Sequence, residues 1–326
     1  MPVHKLALYY AWNRPNEIGA PLGVIENRFP ALFESRRMLY PRLEELSNPH
    51  QFDQGIAGFL DHIMRKNFTA LVEQVHAQTG QQVLEIVRCE EAGKQVSLDD
   101  KWMQEIDTLI IISFDSLRTH QEVDDAELRA VQSFLSKPGK LLVVCPHHDI
   151  GDATGLADVE RLHLQESHFH HHGDRTIPPQ QRFSGFARSL LAGLGLPVEN
   201  LFGLRPAVEA DGSPAEIEAV RELDRLGLLD GVKTFNLHPH LPHFERRGDA
   251  ITKMEVLARQ RIDLTAPPHP FTQDGRQTFD AMLQSRAGVF AGDLVVSDTT
   301  LWSSTAGGVD SLRHLWTNVV LRKDPS

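Results

Sequence analysis

The chain has 326 residues, enough for one large domain or two small ones, and its 41% hydrophobic and 24% charged content is ordinary for a globular protein with a sizeable core. Its 33 basic and 44 acidic side chains give a net charge of −11, which argues against nucleic-acid binding because phosphates need basic surface. The start lacks a secretion signal, no apolar run approaches a membrane span, and two cysteines make no disulfide scaffold. We therefore expect a cytoplasmic protein.

The first half of the chain predicts alternating strands and helices. Apolar runs at residues 5–12, 82–87, 106–113 and 141–145 are bounded by polar or breaker residues, as buried strands are. Helical spacing runs from Asp53, which can cap a helix, to Gly80, which ends it, and again over residues 123–135. A further short helix is expected at residues 31–40.

The second half is less regular. Residues 151–181 are polar and rich in histidine, and helical spacing at residues 183–194, 216–229 and 278–285 predicts helices. Residues 232–237, 289–290 and 294–296 are predicted as strands.

This order of elements predicts an α/β fold, with a doubly wound, mostly parallel sheet flanked by helices and an elaborated loop layer at its carboxyl edge. Residues 109–113 are expected to form a central parallel strand between residues 6–10 and 141–145, because Leu109-Ile110-Ile111-Ile112 is continuously apolar. We expect a single domain over 1–326, with a core of about 1–150 and 230–326 and an insertion at 151–230.

Three histidine clusters hold most of the interesting side chains among the 17 histidines. The first, His147-His148-Asp149, follows the strand at 141–145 after a proline, and the third, the histidines of 238–243 with Glu245 close behind, follows the predicted strand at 232–237. The second cluster comprises His168, His170, His171 and His172. If residues 168–172 are extended, alternate side chains there point the same way.

Imidazole is the commonest metal ligand near neutral pH. The carboxyl ends of parallel neighbouring strands meet at one sheet edge, where ligands bind in open α/β sheets. We therefore predict His147, His148, His238 and His240 as ligands of a divalent metal, zinc or iron.

Asp149 or Glu245 is predicted as the general base or as an orienting group for the ligands. The substrate is expected to be a small polar molecule hydrolysed by metal-activated water. Whether the second cluster joins the site, which metal binds, and whether the chain forms a homo-oligomer stay open.

Simpler interpretations accompany this one. Histidines in loops often only bond to the backbone, and no HExxH signature is present. Cys145 could act as a nucleophile, but we favour a structural role for it as a small buried hydrophobic residue at a strand end.

Two stretches resemble a known family. Residues 107–151 contain an aspartate ahead of a strand, a polar loop, a helix, a glycine and a strand ending in histidine; residues 292–320 contain a strand with an aspartate, a polar loop and a helix with Trp-x-Asn. This pattern resembles the class I glutamine-amidotransferase-like fold, in its trehalose-utilisation (ThuA-like) branch. Val144-Cys145-Pro146-His147 stands where an amidotransferase has Gly-x-Cys-x-Gly, so the resemblance implies the fold and not a glutaminase triad.

The leading function is therefore a metal-dependent hydrolase. A non-catalytic amidotransferase-like binding or assembly protein is the opposing class. A non-haem iron oxygenase is a further alternative, because two histidines and a carboxylate also suit iron.

Overall fold

A mixed sheet forms the centre of the molecule, with eight strands within the described part of the chain. The computed structural model describes residues 3–13, 15–16, 65–90, 92–115, 119–149, 157–172 and 183–323. The strands are β1 (Leu6–Asn13), β2 (Leu84–Cys89), β3 (Thr108–Ser113), β4 (Leu141–Pro146), β5 (Val198–Glu199), β6 (Gly203–Leu204), β7 (Glu218–Ala219), β8 (Leu241–Pro242), β9 (Glu245–Arg246), β10 (Met254–Arg261), β11 (Thr278–Ser285) and β12 (Asp293–Ser297). The α-helices are α1 (Arg65–Asn67), α2 (Thr69–Thr79), α3 (Asp100–Met103), α4 (Asp125–Leu135), α5 (Asp158–His172), α6 (Gly185–Gly193), α7 (Ala250–Lys253) and α8 (Val309–Leu321).

The strand order is β2-β1-β3-β4-β12-β11-β10-β7. The first five strands are parallel, whereas β11, β10 and β7 extend the sheet in antiparallel pairing. β3 lies between β1 and β4, with Ile110 opposite Leu8 on one side and Val143 on the other. The α/β fold and the central position of residues 109–113 are thus confirmed.

Apolar side chains on both faces of β3 explain why it occupies the centre. Ile110 and Ile112 belong to one core cluster and Leu109 and Ile111 to the other, and all four are fully buried. α2 and α8 cover the first face, and α3, α4 and α6 cover the second. The sheet is therefore covered by helices on both faces, as a doubly wound fold requires.

Two predicted helices are wrong. Residues 278–285 form β11, and because residues 281–285 are all buried, a strand there shows no period of two that would mark it. In residues 216–229 the chain forms β7, a 3-10 turn at Arg221–Leu223 and further turns. There Asp224 accepts the N–H groups of Leu228 and Leu229 at 2.8 and 2.7 Å, and Gly227 has a φ of 69°, which stops helical continuation.

Two predicted strands also differ from the structure, and one observed strand was not predicted. Residues 232–237 are irregular apart from one bridge between Thr234 and Glu216, and residues 289–290 lie in bends rather than a strand. β10 was not predicted, because Glu255, Arg259 and Gln260 interrupt its apolar side chains. The helix expected at 31–40, the Asp53 cap and the helix up to residue 64 lie outside the described residues.

In the described ranges, no helix has both the length and the apolar character that crossing a membrane requires.

His243, between β8 and β9, is predicted to make folding stability sensitive to acid. Its Nδ1 accepts the N–H of Asp280 at 3.1 Å, and its ring lies 4.8 Å from that of Phe271. Burial lowers its pKa to about 4, while the Asp280 carboxylate opposes this shift. The folded state therefore prefers neutral His243, and stability is lost as the pH falls from about 6.5 towards 4.

We expect the free energy of unfolding to fall by about 2–3 kcal/mol between pH 7.5 and 4.5 through this residue. His243→Asn keeps an acceptor near the Nδ1 position but cannot titrate, so urea unfolding of the variant should lack that part of the pH dependence. Equal pH dependence in the two proteins would contradict the assignment.

Candidate metal centre

The candidate site lies where two neighbouring parallel strands end. Val144 of β4 is opposite Val296 of β12, so the segments after the two strands leave the sheet side by side. His147 and His148 follow β4, and Asp298 follows β12. This is the carboxyl edge, where open α/β sheets bind ligands.

Three histidine rings converge at this edge. The ring centroids of His147 and His148 are 3.9 Å apart, and the His238 centroid lies 5.1 Å from His147 and 5.9 Å from His148. Within the described ranges these three form a group that offers one ligand atom each, all within 4.8 Å of one another. His147 and His148 are buried and His238 is partly exposed, so the group is open to solvent at His238.

His240 is a neighbour of this group. It is buried, and its ring centroid lies 5.3 Å from that of His148 and 5.4 Å from that of His238. The structure therefore brings together all four histidines predicted as ligands, with three of them converging and His240 beside them.

Asp298 fixes the orientation of His147. Its Oδ2 lies 3.0 Å from His147 Nδ1. Burial raises the pKa of Asp298, but the charge and hydrogen bond of His147, with the charge of His238 and the Thr300 hydroxyl, hold the pKa below its usual value. When the ring of His147 is neutral, an ionised carboxylate accepts the proton of Nδ1, and the lone pair then lies on Nε2.

His238 carries its lone pair on the other nitrogen. Its Nδ1 accepts the backbone N–H of His240 at 3.2 Å, so the proton of a neutral ring lies on Nε2. A ligand bond from Nδ1 would replace this long hydrogen bond.

The backbone that presents His147 is held on several sides. The His147 N–H donates to Ser184 Oγ at 2.6 Å, and the Asn200 side chain donates to the His147 carbonyl. The Asp149 N–H donates to the Asn200 carbonyl at 3.0 Å. Ligands on such a backbone lose less conformational entropy when they bind a metal.

The two predicted acids each have an arginine partner. Asp149 is buried and paired with Arg188 of α6. Glu245 on β9 lies 2.8 Å from Arg247. Asp298, which was not among the predicted site residues, is bonded to His147. Its only local signal is its position directly after a predicted strand.

The second histidine cluster lies on α5, so the alternation of an extended chain does not apply to it. His171 is buried, its Nδ1 lies 2.9 Å from the Pro267 carbonyl oxygen, and its Nε2 accepts the N–H of Arg205 at 3.1 Å. Burial lowers its pKa, which favours the neutral ring that this pattern needs. Both ring nitrogens of His171 therefore lie at hydrogen-bonding distance from residues that pack against α5. His170, on the same helix, is exposed.

Cys145 belongs to the core rather than to the reactive groups. Its side chain is fully buried, and its sulfur lies 3.9 Å from Ser297 Oγ. Burial raises the pKa of its thiol well above the usual value, so a thiolate nucleophile is disfavoured.

We expect Cys145→Ser to keep stoichiometric metal and to change any activity by less than about tenfold, because no covalent intermediate is lost. Metal analysis and rate measurements on the folded variant check this. Inactivation of a folded, metal-loaded variant would restore the nucleophile interpretation.

No family model matches the sequence, and no curated protein matches it significantly. Among solved structures, the chain is similar to one described as "mmIFT52 N-terminal domain", with 11% identity and a TM-score of 0.42 over 76% of this chain and 85% of that chain. A likeness at this level indicates no function.

Proposed function

We propose that this protein binds a divalent metal ion through His147, His148 and His238. The convergence of three imidazoles at the carboxyl edge of the sheet carries the proposal. Three nitrogens about 2.1 Å from a tetrahedral metal would be about 3.4 Å apart. The ligand atoms of the group lie within 4.8 Å of one another, so they would have to move closer together to reach that geometry.

Zinc suits this group better than iron. Iron oxygenases use two histidines and a carboxylate, whereas the converging group here consists of imidazoles and the nearby Asp298 carboxylate is bonded to His147. Three protein ligands with a fourth position for water are typical of catalytic zinc. Asp298 is bonded to the ligand His147 and would not itself bind the metal. A carboxylate in this position orients the histidine ring and raises its basicity.

The reaction that this arrangement supports best is hydrolysis of a small polar molecule. A bound zinc ion lowers the pKa of its water to about 7, which supplies hydroxide at neutral pH. His147 and His148 hold their positions through a restrained backbone, and the partly exposed His238 marks the side from which a substrate can approach. The buried Cys145 gives no support to glutaminase chemistry, even if the fold is amidotransferase-like.

Metal analysis of untagged protein tests the proposal. We expect one zinc per chain, and faster hydrolysis of 4-nitrophenyl acetate by the zinc form than by protein stripped with a chelator. Protein that retains no stoichiometric metal after equilibration with zinc and desalting would overturn the metal site. One zinc per chain with equal rates in both forms would favour the non-catalytic binding protein.

Asp298→Asn is predicted to weaken zinc binding about 10–100-fold, because the amide is a weaker acceptor for His147 Nδ1–H and carries no charge. Competition with a chromogenic chelator measures the affinity. Asp310→Asn, on the exposed first turn of α8, is the matched control and should bind zinc like the original protein. Unchanged affinity in Asp298→Asn would contradict the role given to this carboxylate.

A further inference from the structure

A chain of buried hydrogen bonds connects the two parts of the candidate metal centre. The Thr300 hydroxyl donates to Asp298 Oδ1, and the Asn236 side-chain amide donates to Thr300 Oγ1 at 2.9 Å. Asn236 Oδ1 then accepts the backbone N–H of His238 at 3.2 Å. Because Asp298 Oδ2 binds His147, the chain runs from one metal-binding segment to the other.

The direction of each bond is fixed. Thr300 uses its proton on Asp298, so its oxygen is left as the acceptor for the Asn236 NH2 group. The amide orientation of Asn236 then leaves its oxygen for His238. Asn236 is fully buried and Thr300 is 5% exposed, so water does not readily replace either partner.

The backbone around Asn236 is confined as well. A Cβ atom at Gly308, which has a φ of +67°, would lie 3.3 Å from the Phe235 carbonyl oxygen and 3.5 Å from Asn236 Cα. The segment before His238 therefore packs closely against the start of α8. This close packing restricts the backbone of an irregular segment.

We propose that Thr300 and Asn236 are positioning residues that set the distance between His147 and His238 for metal binding. The inference rests on the proposed metal site and adds two residues that contact no metal. Thr300 acts on His147 through Asp298, and Asn236 acts on the backbone of His238.

Two substitutions at Thr300 separate positioning from packing. Thr300→Val keeps the shape of the side chain and loses the hydroxyl, whereas Thr300→Ser keeps the hydroxyl and loses the methyl group. If the hydrogen bonds position the ligands, the valine variant loses metal affinity and the serine variant retains it. If Thr300 only fills space, the serine variant is the weaker one.

The experiment uses cobalt(II) as the probe, because its visible absorption reports coordination geometry as well as binding. The full chain is stripped of metal and titrated. We expect the cobalt affinity of Thr300→Val and of Asn236→Ala to fall about 10–100-fold, with altered absorption at saturation. Thr300→Ser should give the affinity and spectrum of the original protein. Because both residues act through one chain of bonds, the double variant Thr300→Val/Asn236→Ala should lose less than the sum of the two single losses.

Each outcome decides between the interpretations. Failure of the original protein to bind one cobalt removes the metal site and this inference with it. Stoichiometric binding by the original protein with unchanged affinity and spectrum in Thr300→Val overturns the inference alone, as does equal weakening by serine and valine. Thermal unfolding of the metal-free variants identifies any that do not fold, and Asn236→Ser then replaces Asn236→Ala.

Discussion

Replacing His238 by alanine is expected to abolish stoichiometric metal binding while the fold survives. His238 is one of three converging ligands, and it is the one that is partly exposed, so its removal leaves a space that water can enter. Structural zinc sites with four ligands bind with about 10–16 kcal/mol, so the loss of one ligand costs on the order of 3–4 kcal/mol. Zinc affinity should therefore fall by about two to three orders of magnitude, and metal-dependent hydrolysis should fall with it.

The measurement combines zinc content after desalting with thermal unfolding in the presence and absence of chelator. A metal that binds only the folded state raises the unfolding midpoint, so chelator should lower the midpoint of the original protein and leave that of His238→Ala unchanged. His76→Ala is the matched control, because His76 is exposed at the end of α2, which leads to the start of β2 at the opposite edge of the sheet. Zinc content that stays stoichiometric in His238→Ala, or that falls equally in His76→Ala, would contradict the assignment.

The half of the fold with continuous apolar strands could be predicted from the sequence. β1, β3 and β4 are buried on both faces, and their runs are long enough to be recognised without knowledge of their neighbours. The antiparallel half could not be predicted in this way, because β10 carries charged side chains at Glu255 and Arg259. Each of these charges forms an ion pair with a residue far along the chain. Glu255 pairs with Arg225, and Arg259 pairs with Asp280.

The third histidine cluster lies at the site as predicted, but the segment that precedes it is not the predicted strand. Its expected placement relied on a strand at residues 232–237, but that segment is irregular. Asn236 of that segment instead donates a hydrogen bond to Thr300. The juxtaposition of the clusters was anticipated from the sequence, whereas the contacts that produce it depend on residues 64 positions apart.

The role of Asp298 also could not be predicted from local sequence patterns. Its bond to His147 joins residues 151 positions apart, and no local period encodes such a pair. Only the register of β4 and β12 places the two residues side by side. That register could not be known before the order of strands in the sheet was known.

The substitution expected to destabilise the fold most lies away from the histidines, at Glu127 of α4. Glu127 is fully buried and paired with Arg88 of β2, which is 4% exposed. Burial lowers the pKa of Arg88, but the interactions with Glu127 and Tyr9 together raise it above its usual value, so the guanidinium stays charged. Glu127 also accepts the N–H groups of Leu98 and Asp124 at 3.1 and 3.2 Å, and so ties α4 to the segment before α3.

Glu127→Ala should therefore lower the free energy of unfolding by about 3–5 kcal/mol, because it leaves Arg88 as a buried charge that has lost its counter-ion. Such a loss is a large part of the about 5–15 kcal/mol that stabilises a typical domain. Glu73→Ala, on the exposed side of α2, makes the same change without burial and should stay within about 0.5 kcal/mol.

Urea unfolding of the two variants and of Arg88→Met/Glu127→Leu separates the causes. If the uncompensated charge dominates, the double variant recovers much of the loss, since apolar side chains of similar volume often replace a buried ion pair at little cost. Recovery stays incomplete, because the N–H groups of Leu98 and Asp124 have still lost their acceptor. A loss below about 1 kcal/mol in Glu127→Ala would mean that water reaches Arg88 and that the ion pair is not the element holding α4 against β2.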